Sequence, residues 1–363
     1  MAVQPVTLDP ASTVVLTRPP RSLWRDAWTR FTKNKMAVAA TVVLLFFVLV
    51  AIFAPVLAPH DPLKIYDGKG YLPPAWQEKG PTGQAGDPSF IFGTDSLGRD
   101  VLSRVIYGSR VSLVVGIVPV IIILLVGVGV GLIAGYLGGK ADNLTMRFGD
   151  ILYAFPDLLF FIIVMTALRD TPAGQMLNGL VLLFVALAIV SWIGLARIVR
   201  GQVLSLKEKE FVEAGRMVGA KHGRIMLRHI LPNCLGPIIV YTALRIPGFI
   251  ITEAVLGYLG LGLRPSTRST DFFITSWGAL MLDGQSAINA QPWLLVTPAI
   301  AVAIVVLAFN FVGDGLRDAL GSPHARPLTQ RGQLPRLAFP KDADFSEMLA
   351  SLRVSPLPEN SAA

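Results

Sequence analysis

Of three acidic residues in or beside long apolar runs, Asp150 reads as a boundary residue at the cytoplasmic end of its run, whereas at Asp157 and Glu253 a carboxyl group must have either a task or a partner. A charge at mid-bilayer costs about 2.5–3.5 kcal/mol on insertion scales, so each should face a protein interior or water. They are candidates for a solute pathway or gate, and a plain interhelical hydrogen bond explains Glu253 equally well. Other patterns imitate chemistry without supporting it. Gly129-Val130-Gly131-Leu132-Ile133-Ala134 fits a loose dinucleotide fingerprint but lies inside an apolar run, not at a strand-to-helix turn. Gly135–Lys140 resembles the end of a Walker A loop, yet Ala134 and Ala141 stand where Gly and Ser or Thr are needed. His60, His222, His229 and His324 are scattered without ligand spacing, so no metal site is expected. No Ser/His/Asp grouping stands out, and neither a catalytic residue nor a bound cofactor is expected in this chain.

The elements that must position these residues are membrane spans. Of 363 residues, 53% are hydrophobic and 15% charged, well below the ~25% charged typical of soluble domains. The apolar runs are too continuous for barrel strands, so the fold class is an all-α polytopic membrane protein. Six spans are predicted: Met36–Ala58, Ser112–Leu137, Phe148–Leu168, Leu177–Ile198, Gly236–Leu256 and Trp293–Val312. Basic residues Arg18, Arg21, Arg25, Arg30, Lys33 and Lys35 precede the first span, which places both termini in the cytoplasm. The net charge of +8 therefore marks orientation, not nucleic acid. No stretch has the form of a cleavable signal. Cys234, the one cysteine, excludes an intramolecular disulfide.

Leu23, Trp24, Ala27, Trp28 and Phe31 repeat at helical spacing in the cytoplasmic segment 1–35 and predict an amphipathic helix lying in the lipid interface. The outer loop, 59–110, is rich in Pro and Gly and should be irregular, ordered in part by its aromatics. Gly127, Gly131, Gly135 and Gly139 fall four apart and predict a small-residue seam for a neighbouring helix. The tail from 321 to 363 is Pro-rich without apolar periodicity and should be flexible.

One polar stretch interrupts the apolar chain. Segment 205–233 carries alternating charges around Phe211, Val212 and Val218, which suits a short amphipathic helix. Ala220–Gly223 breaks it, and Arg224–Leu231 can form a second helix stopped by Pro232. Gly215, Gly219 and Gly223 fall four apart and allow close approach of a docked surface, a reading favoured over an interfacial pair resting on lipid.

Glu213-Ala214-Gly215, Gly219 and Leu231-Pro232 resemble the EAA loop of permease subunits in ATP-binding-cassette importers. Gly215 stands in place of the usual second Ala, and His229 in place of the usual Ile. Phe92–Asp100 with Ser103-Arg104, Ala134–Gly139 with Asp142, Glu253-Ala254 through Gly262, Ser276-Trp277-Gly278 and Asn310–Asp318 are similar to signatures of the dipeptide/oligopeptide branch, in its C-type subunit. The resemblance implies a type I importer permease core over 111–320. It assigns Glu213, Ala214, Gly215, Gly219, His229, Leu231 and Pro232 to ATPase coupling. Thr94, Asp95, Arg99, Asp100 and Trp277 become candidates for contact with a binding protein. The implied partners are a homologous B-type permease forming a heterodimer, two ATPases that hold ATP and Mg, an extracytoplasmic substrate-binding protein and membrane lipid. The implied location is the bacterial inner membrane. Di- or oligopeptides are the implied cargo; nickel chelates, glutathione or another small solute remain open, as does the separate class of ion-coupled secondary transporters.

Overall fold

The computed structural model describes residues 23–80 and 83–321; the expectations for residues before 23 and for the tail from 322 onward lie outside them. The described chain is helical, with one isolated bridge, Thr94 to Asp100. In order the helices are α1 (Leu23–Lys33), α2 (Lys35–Ile52), α3 (Ala54–Leu57), α4 (Val101–Leu137), α5 (Gly139–Tyr153), α6 (Asp157–Leu168), α7 (Pro172–Gln175), α8 (Leu180–Leu206), α9 (Glu210–Met217), α10 (His222–Ile225), α11 (Leu231–Tyr258), α12 (Trp277–Gln285) and α13 (Trp293–Leu320). Five helical stretches are long and apolar enough to cross a membrane, and α5 with α6 makes a sixth, bent by 80°.

That bend corrects the continuous span expected over Phe148–Leu168. Pro156 has no N–H and pushes the residue before it out of the helical region, so the helix breaks between Tyr153 and Asp157. The second span also starts earlier than expected. Asp100 accepts a hydrogen bond from Ser103 N at 2.9 Å and starts α4 at Val101, so the last ten residues assigned to the outer loop are helical. A further helix, α12, lies between the fifth and sixth predicted spans, capped by Ser276, whose Oγ accepts from Ala279 N at 3.2 Å.

Helix α8 is central. Leu183, Leu187, Ile193, Leu195, Val199 and Val203 are buried on its several faces. Lipid tails are as apolar as Leu, so packing must come from close backbone approach. The predicted glycine seam supplies it: Cβ atoms added at Gly127, Gly131 and Gly135 would lie within 3.0 Å of α8, the closest 2.6 Å from Ala196 O. Gly139 departs from the seam, because α4 ends at Leu137 and a Cβ there would meet nothing within 4 Å. At the other extreme, α2 leaves Val42, Leu45, Phe46 and Leu49 exposed. Helix α1 exposes Trp24 and Trp28 while the Phe31 ring packs against Gly315 of α13.

Candidate functional site: the polar loop and the outer network

The polar loop folds as a helical reversal. Glu210 and Glu213 occupy the first turn of α9, where the helix dipole favours acids. Val212 is fully buried and anchors α9 beneath the bundle with Ile225 and Ile230. Gly219 ends the helix with φ +78: its N–H bonds Arg216 O at 2.9 Å and that of Ala220 bonds Gly215 O at 3.1 Å. This paired closure needs a left-handed residue, which glycine adopts without strain. Glu213 and Ala214 point outward, and Met217 and Val218 are each 89% exposed.

The second half differs from expectation. Pro232 does not stop a helix. The chain runs from α10 through a π turn, Met226–Ile230, straight into α11. A proline ring clashes with the carbonyl four residues back, here that of Arg228, and the wider π turn relieves the clash. Asn233 donates from Nδ2 to His229 O at 2.7 Å, satisfying one carbonyl in the distorted turn. Gly215 and His229, the two departures from the EAA pattern, face each other: a Cβ at 215 would lie 3.9 Å from the His229 ring. Leu231 is half-buried and Pro232 exposed.

Contacts that the sequence did not reveal tie this region to the bundle. Tyr136, near the end of α4, pairs through its Oη with His222 Nδ1 at 2.9 Å, and the Arg216 guanidinium lies 5.8 Å from its ring. Arg200 of α8 grips Asp142 of α5 through two hydrogen bonds, the longer 2.6 Å, and Arg197 bonds Asp150 at 2.5 Å.

On the opposite side, four of the five candidate contact residues are interior. Thr94, Asp95, Asp100 and Trp277 are buried, so they build the outer loop and offer no docking surface themselves. Asp95 accepts from the backbone of Leu97 and Arg99, from Arg99 Nε at 2.7 Å and from Arg104 Nη1. Arg104 reaches on to Asp283 of α12 at 2.9 Å. The sequence spaces these charges like surface residues; only the fold brings Asp283 to them. Thr94 donates to Lys69 O and accepts from Leu72 N, and Trp277 donates to Val105 O at 2.9 Å. Further out, hydrogen bonding from the Lys69 ammonium holds the Asp87 carboxyl down at about 2.

The two pathway candidates are not brought together. Glu253 is fully buried; its Oε2 accepts a hydrogen bond from Ser112 Oγ of α4 at 3.3 Å, and its Oε1 has no hydrogen-bond partner. Its observed contacts are those of an interhelical bond. Asp157 is exposed at the head of α6. Among the described residues, no three His, Cys, Asp or Glu side chains form a group that could hold a metal.

Residues 127–322 match the family described as binding-protein-dependent transport system inner membrane component, and residues 22–74 match the N-terminal TM domain of oligopeptide transport permease C. The oligopeptide transport system permease protein OppC of Haemophilus influenzae is 43% identical over 302 residues, covering 83% of this chain and 88% of that protein. The dipeptide transport system permease protein DppC of Bacillus subtilis is 40% identical over 304 residues, covering 84% of this chain and 87% of that protein. A chain of the inward-facing MetNI methionine ABC transporter overlays with a TM-score of 0.48 at 17% identity, covering 61% of this chain and 97% of that one. Matched by the first of these families over more than half its length, this chain belongs to the binding-protein-dependent transport inner membrane components, as a permease subunit of an ATP-binding-cassette transporter.

Proposed function

We propose that the chain forms half of the translocation pore of a bacterial inner-membrane importer for di- or oligopeptides, paired with a homologous permease. Its termini lie in the cytoplasm. It catalyses no reaction; two partner ATPases supply ATP hydrolysis, and an extracytoplasmic binding protein delivers the solute. The observation that carries the reading is the exposed tip of the loop. Met217 and Val218 are the most exposed large apolar side chains among the described residues, set beside outward-pointing Glu213. An apolar tip on a rigid helical reversal, rimmed by charge, fits a cleft on a protein partner. On the other side, the buried Asp95–Arg104 pair, extended to the exposed Asp283, supports a loop whose exposed Trp76, Ile91 and Leu97 are the proposed surface for the binding protein. Binding of ATP and of the loaded binding protein would each favour a different arrangement of the bundle.

The test is Glu213→Lys in the co-expressed complex. Membrane insertion stays normal, while ATPase co-purification and peptide uptake are lost. Wild-type uptake by this variant would refute docking at α9.

A further inference from the structure

We infer that Tyr136 is a positioning residue that couples the docking loop to α4, an inference that rests on the ATPase-docking reading above. The loop is covalently joined to α8 on one side and to α11 on the other. Helix α4 has no such connection, yet it carries the outer end of the molecule: Asp100 caps it and Arg104 ties it to α12. At its opposite end Tyr136 is buried and touches both halves of the loop. Its hydroxyl pairs with His222 Nδ1 at 2.9 Å where α10 begins, their rings meet edge to face at 5.5 Å, and Arg216 of α9 lies over the Tyr136 ring. One side chain therefore joins three segments. A displacement of α9 reaches α8 and α11 through the backbone, and it reaches the end of α4 through Tyr136.

Two features give this contact leverage. The π turn that follows α10 is a local loosening of the ladder, placed between His222 and the long run of α11. Without a fixed point at His222, movement of α9 would be absorbed there. The neighbouring Asp142–Arg200 pair joins α5 to α8 and includes no residue of α9 or α10.

The experiment uses the reconstituted full complex with its ATPases and binding protein, and reads peptide taken up per ATP hydrolysed. Tyr136→Phe keeps the ring and removes the hydroxyl; His222→Ala removes its partner; His222→Gln restores a polar partner. Tyr136→Phe and His222→Ala are each expected to lower uptake per ATP about two- to tenfold, the range open to a single neutral hydrogen bond. His222→Gln should retain most of the coupling. The double variant Tyr136→Phe/His222→Ala should be no worse than the poorer single one, because both remove the same contact. Either single variant coupling like the wild type, or losses that multiply in the double variant, would overturn the inference. ATPase co-purification separates the two readings: retained in the Tyr136 and His222 variants, it leaves docking at α9 intact whatever their coupling, whereas Glu213→Lys tests docking itself.

Discussion

Gly129 and Gly131 lie two residues apart on α4, and the same substitution at each should have opposite effects. A Cβ at Gly129 meets nothing within 4 Å. Gly129→Ala therefore gains helix propensity without a clash, a stabilisation of up to about 1 kcal/mol. A Cβ at Gly131 would stand 2.6 Å from Ala196 O and 2.8 Å from Val199 Cβ. Ordinary contact needs about 3.5 Å, so α4 and α8 would have to separate locally by close to ~1 Å. Both obstacles belong to rigid parts of α8, one a backbone oxygen and the other a β-branched Cβ, so neither can swing aside. Overpacking of this kind costs about 1–3 kcal/mol, enough to outweigh the propensity gain. Thermal unfolding of the purified complex in one detergent should show Gly129→Ala at or above the wild-type midpoint and Gly131→Ala several degrees below it. Equal midpoints for the two variants would refute the claim that the seam is made by backbone contact at Gly131.

Arg104→Ala removes one partner of a buried ion pair and should cost about 3 kcal/mol, the lower end of the usual range because Asp95 keeps Arg99 and two backbone donors. Limited proteolysis of the outer loop would report it, and unchanged protection would count against the network as the loop's support. The Lys69–Asp87 pair gives a pH prediction. The carboxyl is held below its unfolded value, so its contribution is complete above pH ~4 and fades as pH falls toward 2. Both partners are part-exposed, so screening limits the contribution to about 1 kcal/mol or less. Amide exchange at Ser89, whose N–H bonds Asp87 at 2.9 Å, should stay slow from pH 7 to 4 in the wild type and speed up in Lys69→Ala.

The spans were legible because continuous apolar runs have few alternatives, and the glycine spacing correctly placed Gly127, Gly131 and Gly135 against another helix. Gly139 could not be told from them, since what sets it apart is where α4 ends. A proline in an α-helix obstructs the carbonyl four residues back, so the sequence predicts a stop at Pro232. A π turn before it removes the obstruction, and the sequence shows no clear mark of that turn. Thr94, Asp95 and Asp100 look like loop surface in a linear string; in the fold Thr94 bonds Lys69 O and Leu72 N, Asp100 bonds Ser103, and Asp95 bonds Arg104, which reaches Asp283 far along the chain. Helix α12 had one usable local signal, Ser276 as an N-cap ahead of Trp277, within a segment too short and mixed to register as a span.

Helix α4 has 37 residues, a length of ~55 Å against a hydrocarbon thickness of ~30 Å. In the proposed orientation, with Leu137 at the cytoplasmic face, most of the surplus stands on the outer side, and Arg110, which donates to Ala51 O at 2.7 Å, is buried low on that projecting part. The mouth of the permease is then raised above the lipid on a stalk built from the same helix that lines the bundle. A delivering protein could diffuse over the membrane and dock without disturbing headgroups. Bilayer thickness, which sorts many membrane proteins, would have little hold on the height of that port.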